Sequence, residues 1–273
     1  MFIPFKISKV AIDNACNGYE YDTKDVKDYL SKHINKDTIK QALIDGTKLQ
    51  EDWFPTWSYD SRFQVFISHA HQDEVIVKRL AGFLKEKCGL NSFIDSEYWG
   101  YIGSLQKDLD EYYSKVFSDG RYMYDYQTSS FVAANVHIML SMALMKMMDA
   151  CECLMFVDSD NSMKYAKGQT LTPSPWIYEE MGFSRMLRVN IPDRYKKLIR
   201  VNLNESRGTS EIRMVTDLSE PRQMHIQYIV NMSDFMILSS HDLKSIENLY
   251  GSKALDELYK KYGMVNVLKK LNG

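Results

Sequence analysis

The chain lacks the roughly 20 successive apolar residues that a membrane-spanning helix needs. Its nearest approach, Phe131 to Met145, carries Asn135, His137 and Ser141 and runs into Lys146 and Asp149, so a buried helix is expected there. No sign of charge dominates either, with 34 Lys and Arg against 36 Asp and Glu. That balance, with no basic block of five or more, gives no field to steer nucleic acid or an anionic membrane towards the protein, and neither is expected as a partner. Cysteine is scarce: Cys16, Cys88, Cys151 and Cys153 are too few and too irregular for a disulfide framework. The closest two are separated by one residue rather than the two of a zinc knuckle, so a reducing cytoplasm is the expected setting and buried thiols the expected role. The opening Met1-Phe2-Ile3-Pro4-Phe5-Lys6 has no basic region, long apolar region or small-residue cleavage site of a secretory signal. Internal repeats and low-complexity segments are absent too.

What is present is a chain of 273 residues, 45% apolar, enough to bury a core. Residues 1 to about 60 read as an N-terminal extension. They begin with alternating Ile3, Phe5, Ile7, Val10 and Ile12, continue as a charged helical stretch from about Asp25 to Gln50, and close at Trp53-Phe54-Pro55-Thr56-Trp57. From residue 61 the pattern becomes a regular alternation. It predicts a strand from Phe63 to Ile67, a helix from Glu74 to Cys88 closed by Gly89, a strand from Ser92 to Asp95, and a helix from about Leu105 to Val116. A βαβα order of this kind argues for a parallel sheet with right-handed crossovers. Phe117 to Thr128, rich in Tyr and Asp, reads as inserted, and is followed by the apolar helix Phe131 to Ala150 and a buried strand Cys153 to Val157. The long polar loop Asp158 to Pro173 precedes a helix with Ser174 at its N-cap and Pro175 at its first position. Lys197 to Leu203 is expected as a fourth strand, Phe235 to Leu238 as a fifth, and Asp242 to Leu271 as helical; Asn204 to Ser233 has no firm assignment.

Positions three and four apart on the Pro175 helix are Trp176, Glu180, Phe183 and Leu187, so Glu180 lies on an otherwise apolar stripe. A carboxylate there is partly desolvated, which raises its pKa, and the neighbouring indole suits stacking on a flat cationic ring. Glu179 projects from another face and reads as a solvated charge. In open α/β sheets ligands bind beyond the carboxyl ends of the strands, which would bring Ser68, His69, Asp95 and the loop after Asp158 to one crevice. The helix starting near Asp73 directs its N-terminal amides there, which favours a phosphate. The aromatic turn Tyr98-Trp99-Gly100-Tyr101 is placed to close over such a ligand.

Val65-Phe66-Ile67-Ser68-His69, Phe93-Ile94-Asp95 and Ser174-x-Trp176-x-x-x-Glu180-Met181 together resemble the first strand, second strand and third-helix motif of Toll/interleukin-1 receptor (TIR) domains of the bacterial type, over about residues 60 to 270. The resemblance implies a flavodoxin-like α/β fold, with a central five-stranded parallel sheet flanked by helices, as a TIR domain over 61–273 with an inserted segment at about 117–150. It implies cleavage of the nicotinamide-ribosyl bond of NAD⁺, bound as substrate rather than cofactor, with Glu180 as the catalytic carboxylate. Trp176 then lines the nicotinamide ribose pocket, Ser68, His69 and Asp95 border the substrate, and Trp99 and Tyr101 belong to a loop that gates the site and mediates self-association. Bacterial relatives often serve antiphage defence, where hydrolysed or cyclised ADP-ribose activates a downstream effector. Two departures from the pattern are Ile177, where cysteine is frequent, and the length of Phe117 to Ala150.

Plainer roles stand beside these. Glu180 is also read as a helix carboxylate paired with Arg185 or a lysine, Trp176 as core, and His69 and His71 as turn caps, since no metal spacing is completed around them. The methionines at 139, 142, 145, 147 and 148 suit an irregular core or a subunit contact. At the level of the whole protein, a non-catalytic TIR interaction module and a nucleoside N-ribosyltransferase are the alternatives to the NAD⁺-cleaving enzyme.

Overall fold

A computed structural model of the chain describes residues 2–24, 63–166, 168–187, 189–196 and 226–263. At the N-terminus lie strand β1 (Ile3–Ser8) and helix α1 (Lys9–Ala15), whose N-cap Ser8 accepts a hydrogen bond from the Ala11 amide. Strand β2 (Val65–Ser68) is buried along its whole length, as expected of a Val/Phe/Ile run covered on both faces. A single 3-10 turn, His71–Asp73, leads into helix α2 (Glu74–Cys88). That helix ends where Gly89 takes a left-handed conformation, φ 62°, and its amide reaches back to the Leu84 and Lys85 carbonyls. Strand β3 (Ser92–Ile94) runs directly into helix α3 (Ser96–Tyr113), followed by the hairpin β4 (Lys115–Ser118) and β5 (Arg121–Tyr124). Its turn is Asp119-Gly120, both with positive φ, as a two-residue type I′ connection requires. Helix α4 (Tyr126–Ala150), capped by Asp125, strand β6 (Cys153–Asp158), the hairpin β7 (Lys164–Ala166) and β8 (Gln169–Thr172), helix α5 (Pro175–Met186) and the short α6 (Asp193–Lys196) come next. Strands β9 (Tyr228–Ile229) and β10 (Met236–Leu238), then α7 (Ser240–Ser245) and α8 (Ser252–Lys261), complete the described elements.

The expected five-stranded, all-parallel sheet is present, in the order β10-β1-β6-β2-β3, consistent with a flavodoxin-like fold. Its membership differs from expectation. The position between β6 and β10 is held by β1, which was expected to lie in an extension, in register with β6 from Ile3↔Cys153 to Ser8↔Asp158 and with β10 from Phe5↔Met236 to Ile7↔Leu238. Ile3, Phe5 and Ile7 alternate into the core, so the first residues of the chain are part of the domain rather than an extension of it. Local alternation identifies a strand but says nothing of which neighbours it takes. The expected fourth strand at 197–203, the whole stretch from Asp25 to Trp57, and the end of the C-terminal helix fall outside the described residues.

Two apolar clusters flank the sheet. One gathers Phe5, Ile7, Ile67, Met155 and Val157 under α1, α2, α7 and α8; the other gathers Phe66, Phe93, Leu154 and Phe156 under α3, α4 and α5. Successive strand residues face opposite sides, so Ser68 shares the α5 side with Phe66.

By length and composition α4 could cross a membrane. Val132, Val136, Leu140, Leu144, Met147 and Met148 form a stripe buried in the second cluster, as expected of a core helix, whereas Phe131, Ile138 and Met142 on its other faces are exposed.

Candidate active site

Ser68 ends β2 and Asp95 follows β3, so both stand at the carboxyl edge of the sheet. Strand order reverses between β2 and β6, the place where doubly wound folds leave a crevice. Ser174 caps α5 through the Ile177 amide, with Pro175 in its first turn, and so sets which face turns inward: Ile177, Glu180 and Met181 are the buried residues. Two are ordinary core side chains. The third is a carboxylate, 0% exposed, to which the Ser68 hydroxyl donates a short hydrogen bond at Oε2.

The surroundings of Glu180 favour its neutral form. Burial removes the water that would solvate a charge, repulsion from Asp95 and Glu179 adds to this, and the bond from Ser68 offsets only part, so its pKa is driven well above the usual carboxylate range. Hydrogen bonding between the Glu180 and Asp95 carboxyl groups adds to the upward shift. Arg185 is exposed in the last turn of α5, and the charges acting on Glu180 are carboxylates, so the ion pair considered for it does not form.

Asp95 is balanced by His69. The imidazole Nδ1 lies 2.9 Å from Asp95 Oδ1 and 3.3 Å from the Ile67 carbonyl, and Nε2 lies 3.0 Å from Ser96 Oγ. Burial pushes the His69 pKa down, but attraction to and bonding with Asp95 outweigh it, and the net shift is upward. Both shifts run upward, so protons are held more tightly at His69, facing Asp95, and at Glu180. His69 is therefore a partner of Asp95 rather than a turn cap; His71 is exposed.

The structure thus brings Ser68, His69, Asp95 and Glu180 together. Trp176, one turn before Glu180, is half-buried against the α4 cluster, its ring centroid 4.8 Å from that of His137. Trp99 and Tyr101, expected in a turn, belong to the first turns of α3 because the helix begins directly after Asp95. Glu179, expected in solvent, is half-buried, with Oε2 buried and lacking a hydrogen-bond partner among the described residues, although Pro175, Gly182 and Met186 on the same face of α5 are exposed.

The loop after β6 does reach this edge, but through groups that sequence reasoning did not single out. Ser159 Oγ donates to the buried Asp73 carboxylate, Asn161 Nδ2 donates to it at 2.7 Å, and Ser162 Oγ donates to the Val157 carbonyl at 2.8 Å. A carboxylate at the N-terminus of α2 opposes the phosphate expected there. The one available signal was Asp73 itself, an N-cap residue type with no side-chain bond to its own helix.

All four cysteines are buried and free, and burial pushes the Cys16, Cys88 and Cys151 thiols up to about 12. Among the described residues no cluster of His, Cys, Asp and Glu is arranged to hold a metal ion.

Fold and geometry define an open α/β protein with a closed acidic site where the strand order reverses. Set against protein-family models, curated proteins and solved structures, the chain matches none.

Proposed function

We propose that the protein cleaves the bond between ribose and nicotinamide in NAD⁺, as the resemblance to bacterial TIR domains implies, with Glu180 as the catalytic carboxylate. One observation carries this: the glutamate that matches the motif is buried at the switch point and bonded to Ser68, the residue that ends the matching strand. In the reaction the C1′–N bond breaks with its electron pair leaving on neutral nicotinamide, and water or an internal nucleophile then adds to C1′ and gives up a proton. An ionised carboxylate stabilises the oxocarbenium-like centre between the two steps.

At rest Glu180 is neutral and out of reach of solvent. A substrate with a cationic ring offsets the repulsion from Asp95 and favours ionisation of Glu180, so opening of the site and activation of the carboxylate are coupled. In this scheme Asp95, held by His69, selects for the positive ring, and Trp176 supplies an apolar wall beside the ribose. Trp99 and Tyr101, in the first turns of α3, belong to the gate. Activity that depends on self-association, an ADP-ribose product read by an effector, a cytoplasmic setting and a role in antiphage defence all belong to the same proposal.

The test is release of nicotinamide from NAD⁺ by concentrated protein with and without a crowding agent. Glu180→Gln is expected to lower the rate by about 10²-fold or more while leaving the fold intact. A wild type inactive under every activating condition, or a variant equal to it, overturns the assignment. The complete burial of Glu180 and its bond to its own fold favour a second reading, a non-catalytic interaction module in which the carboxyl is structural, and the inactive wild type is its signature.

A further inference from the structure

The inserted segment and the end of α3 before it carry the densest group of exposed aromatic side chains among the described residues: Tyr112 58%, Phe117 65%, Tyr122 70%, Tyr124 52%, Tyr126 82% and Phe131 71% exposed. At roughly 200 Å² per aromatic side chain this is several hundred Å², the scale of the ~800 Å² that each partner contributes to a standard interface. Phe117 and Tyr122 lie ring against ring, their centroids 5.0 Å apart, and monomers rarely leave large apolar patches in water. The hairpin beneath it is a two-stranded sheet, so both β4 and β5 present an open edge, and isolated two-stranded ribbons are marginal.

Chain chemistry chooses the occupant. Ser118 and Arg121 flank the two-residue turn and form a hydrogen-bonded pair, so Val116 and Met123 form the next one, and the main-chain groups of Tyr122 and Tyr124 point outward from the edge of β5. An antiparallel strand meets that edge only in a register that pairs outward groups with outward groups. For a second copy of β5 the register centred on Met123 satisfies this. It sets Tyr122 opposite the other copy's Tyr124, twice, on one face, and it sets exposed Arg121 opposite the other copy's Asp125, also twice. Asp125 holds the Thr128 amide and hydroxyl through Oδ1, which leaves Oδ2 for an incoming guanidinium. A membrane fits less well, because the hairpin mixes Lys115 and Arg121 with Asp119 and Asp125.

We infer that the β5 edge is an isologous contact through which two copies of this chain join their hairpins into one four-stranded antiparallel sheet. The contact is independent of the chemistry at Glu180.

Full-length protein carrying Met123→Cys is expected to form a disulfide-linked dimer on mild oxidation, since residue 123 meets its own symmetry mate. Ser118→Cys, on the other strand, is expected not to, and the native cysteines, all buried, give a low background. Arg121→Asp is expected to weaken the dimer about tenfold or more in sedimentation, with an unchanged circular dichroism spectrum. A wild type that stays monomeric, or a dimer that Met123→Cys does not cross-link, overturns the inference. So does a monomer that floats with lipid vesicles, which would assign the aromatic patch to a membrane. Should Arg121→Asp unfold, the cross-linking pair alone decides.

Discussion

Glu180 and His69 bind protons more tightly in the folded protein than as free side chains, and this has one sign at both. Above the ordinary glutamate value of 4.5 the unfolded chain releases the Glu180 proton while the folded chain keeps it, so stability falls as pH rises. His69 acts in the same sense: its contribution is complete below its ordinary 6.5 and is lost as pH passes its higher folded value. Glu180→Gln preserves the shape and neutrality of the protonated acid. The variant is therefore expected to match the wild type near pH 4.5 and to exceed it in melting temperature by a margin that widens towards pH 8. Parallel melting curves across that range would mean that Glu180 is ionised in the folded state. At this scale the sequence was legible where a residue contradicts its own helix: an acid on an apolar stripe can be seen in four positions spaced by three and four. The pairing of Asp95 with His69 was not, because it depends on β2 and β3 lying side by side, which no local pattern states.

Elements with strong local punctuation were read closely. The span Glu74–Cys88 with its Gly89 cap, and the Ser174-Pro175 start of α5, appear as expected because caps act within one turn. The hairpin β4–β5 was missed although Asp119-Gly120 is the turn dipeptide it requires, since the surrounding Tyr and Asp masked its alternation. Residues 98–101 were expected as a turn for their glycine and aromatics, yet α3 begins at Ser96. Gly82 shows packing overriding propensity. In an exposed helix, replacing glycine by alanine stabilises by about 1 kcal/mol. A Cβ at Gly82 of α2, however, would lie 2.7 Å from the Glu20 backbone, which crosses the helix there. Backbone gives way less readily than a side-chain tip, so the clash wins. Gly82→Ala is expected to destabilise the fold by about 1–3 kcal/mol, measured by denaturant unfolding; a stabilised variant would show that the segment after α1 does not pack on α2.

The whole molecule turns on the placement of β1. A boundary at residue 60 follows naturally from the βαβα pattern that starts at residue 63, and sheet order is the property least visible in a linear pattern. In space β1 separates β6 from β10 and is hydrogen-bonded to both, so removing it splits the sheet rather than trimming an edge. It also takes from the core Phe2, Ile3, Phe5 and Ile7, all at most 5% exposed, and with α1 it removes Ile12, which is fully buried. At about 1.5–3 kcal/mol per large apolar side chain, the loss is roughly 10 kcal/mol, as large as the entire stability of a typical domain, about 5–15 kcal/mol. Fragment 61–273 is therefore expected to show no cooperative thermal transition, whereas the full chain shows one. If the fragment melts cooperatively with the full chain's near-ultraviolet dichroism, β1 is dispensable and the domain begins where the alternation begins. If it does not, adding back a peptide of residues 1–24 is expected to restore part of the signal, because β6 and β10 each present an edge that only this strand fills with its apolar side towards α1, α2, α7 and α8.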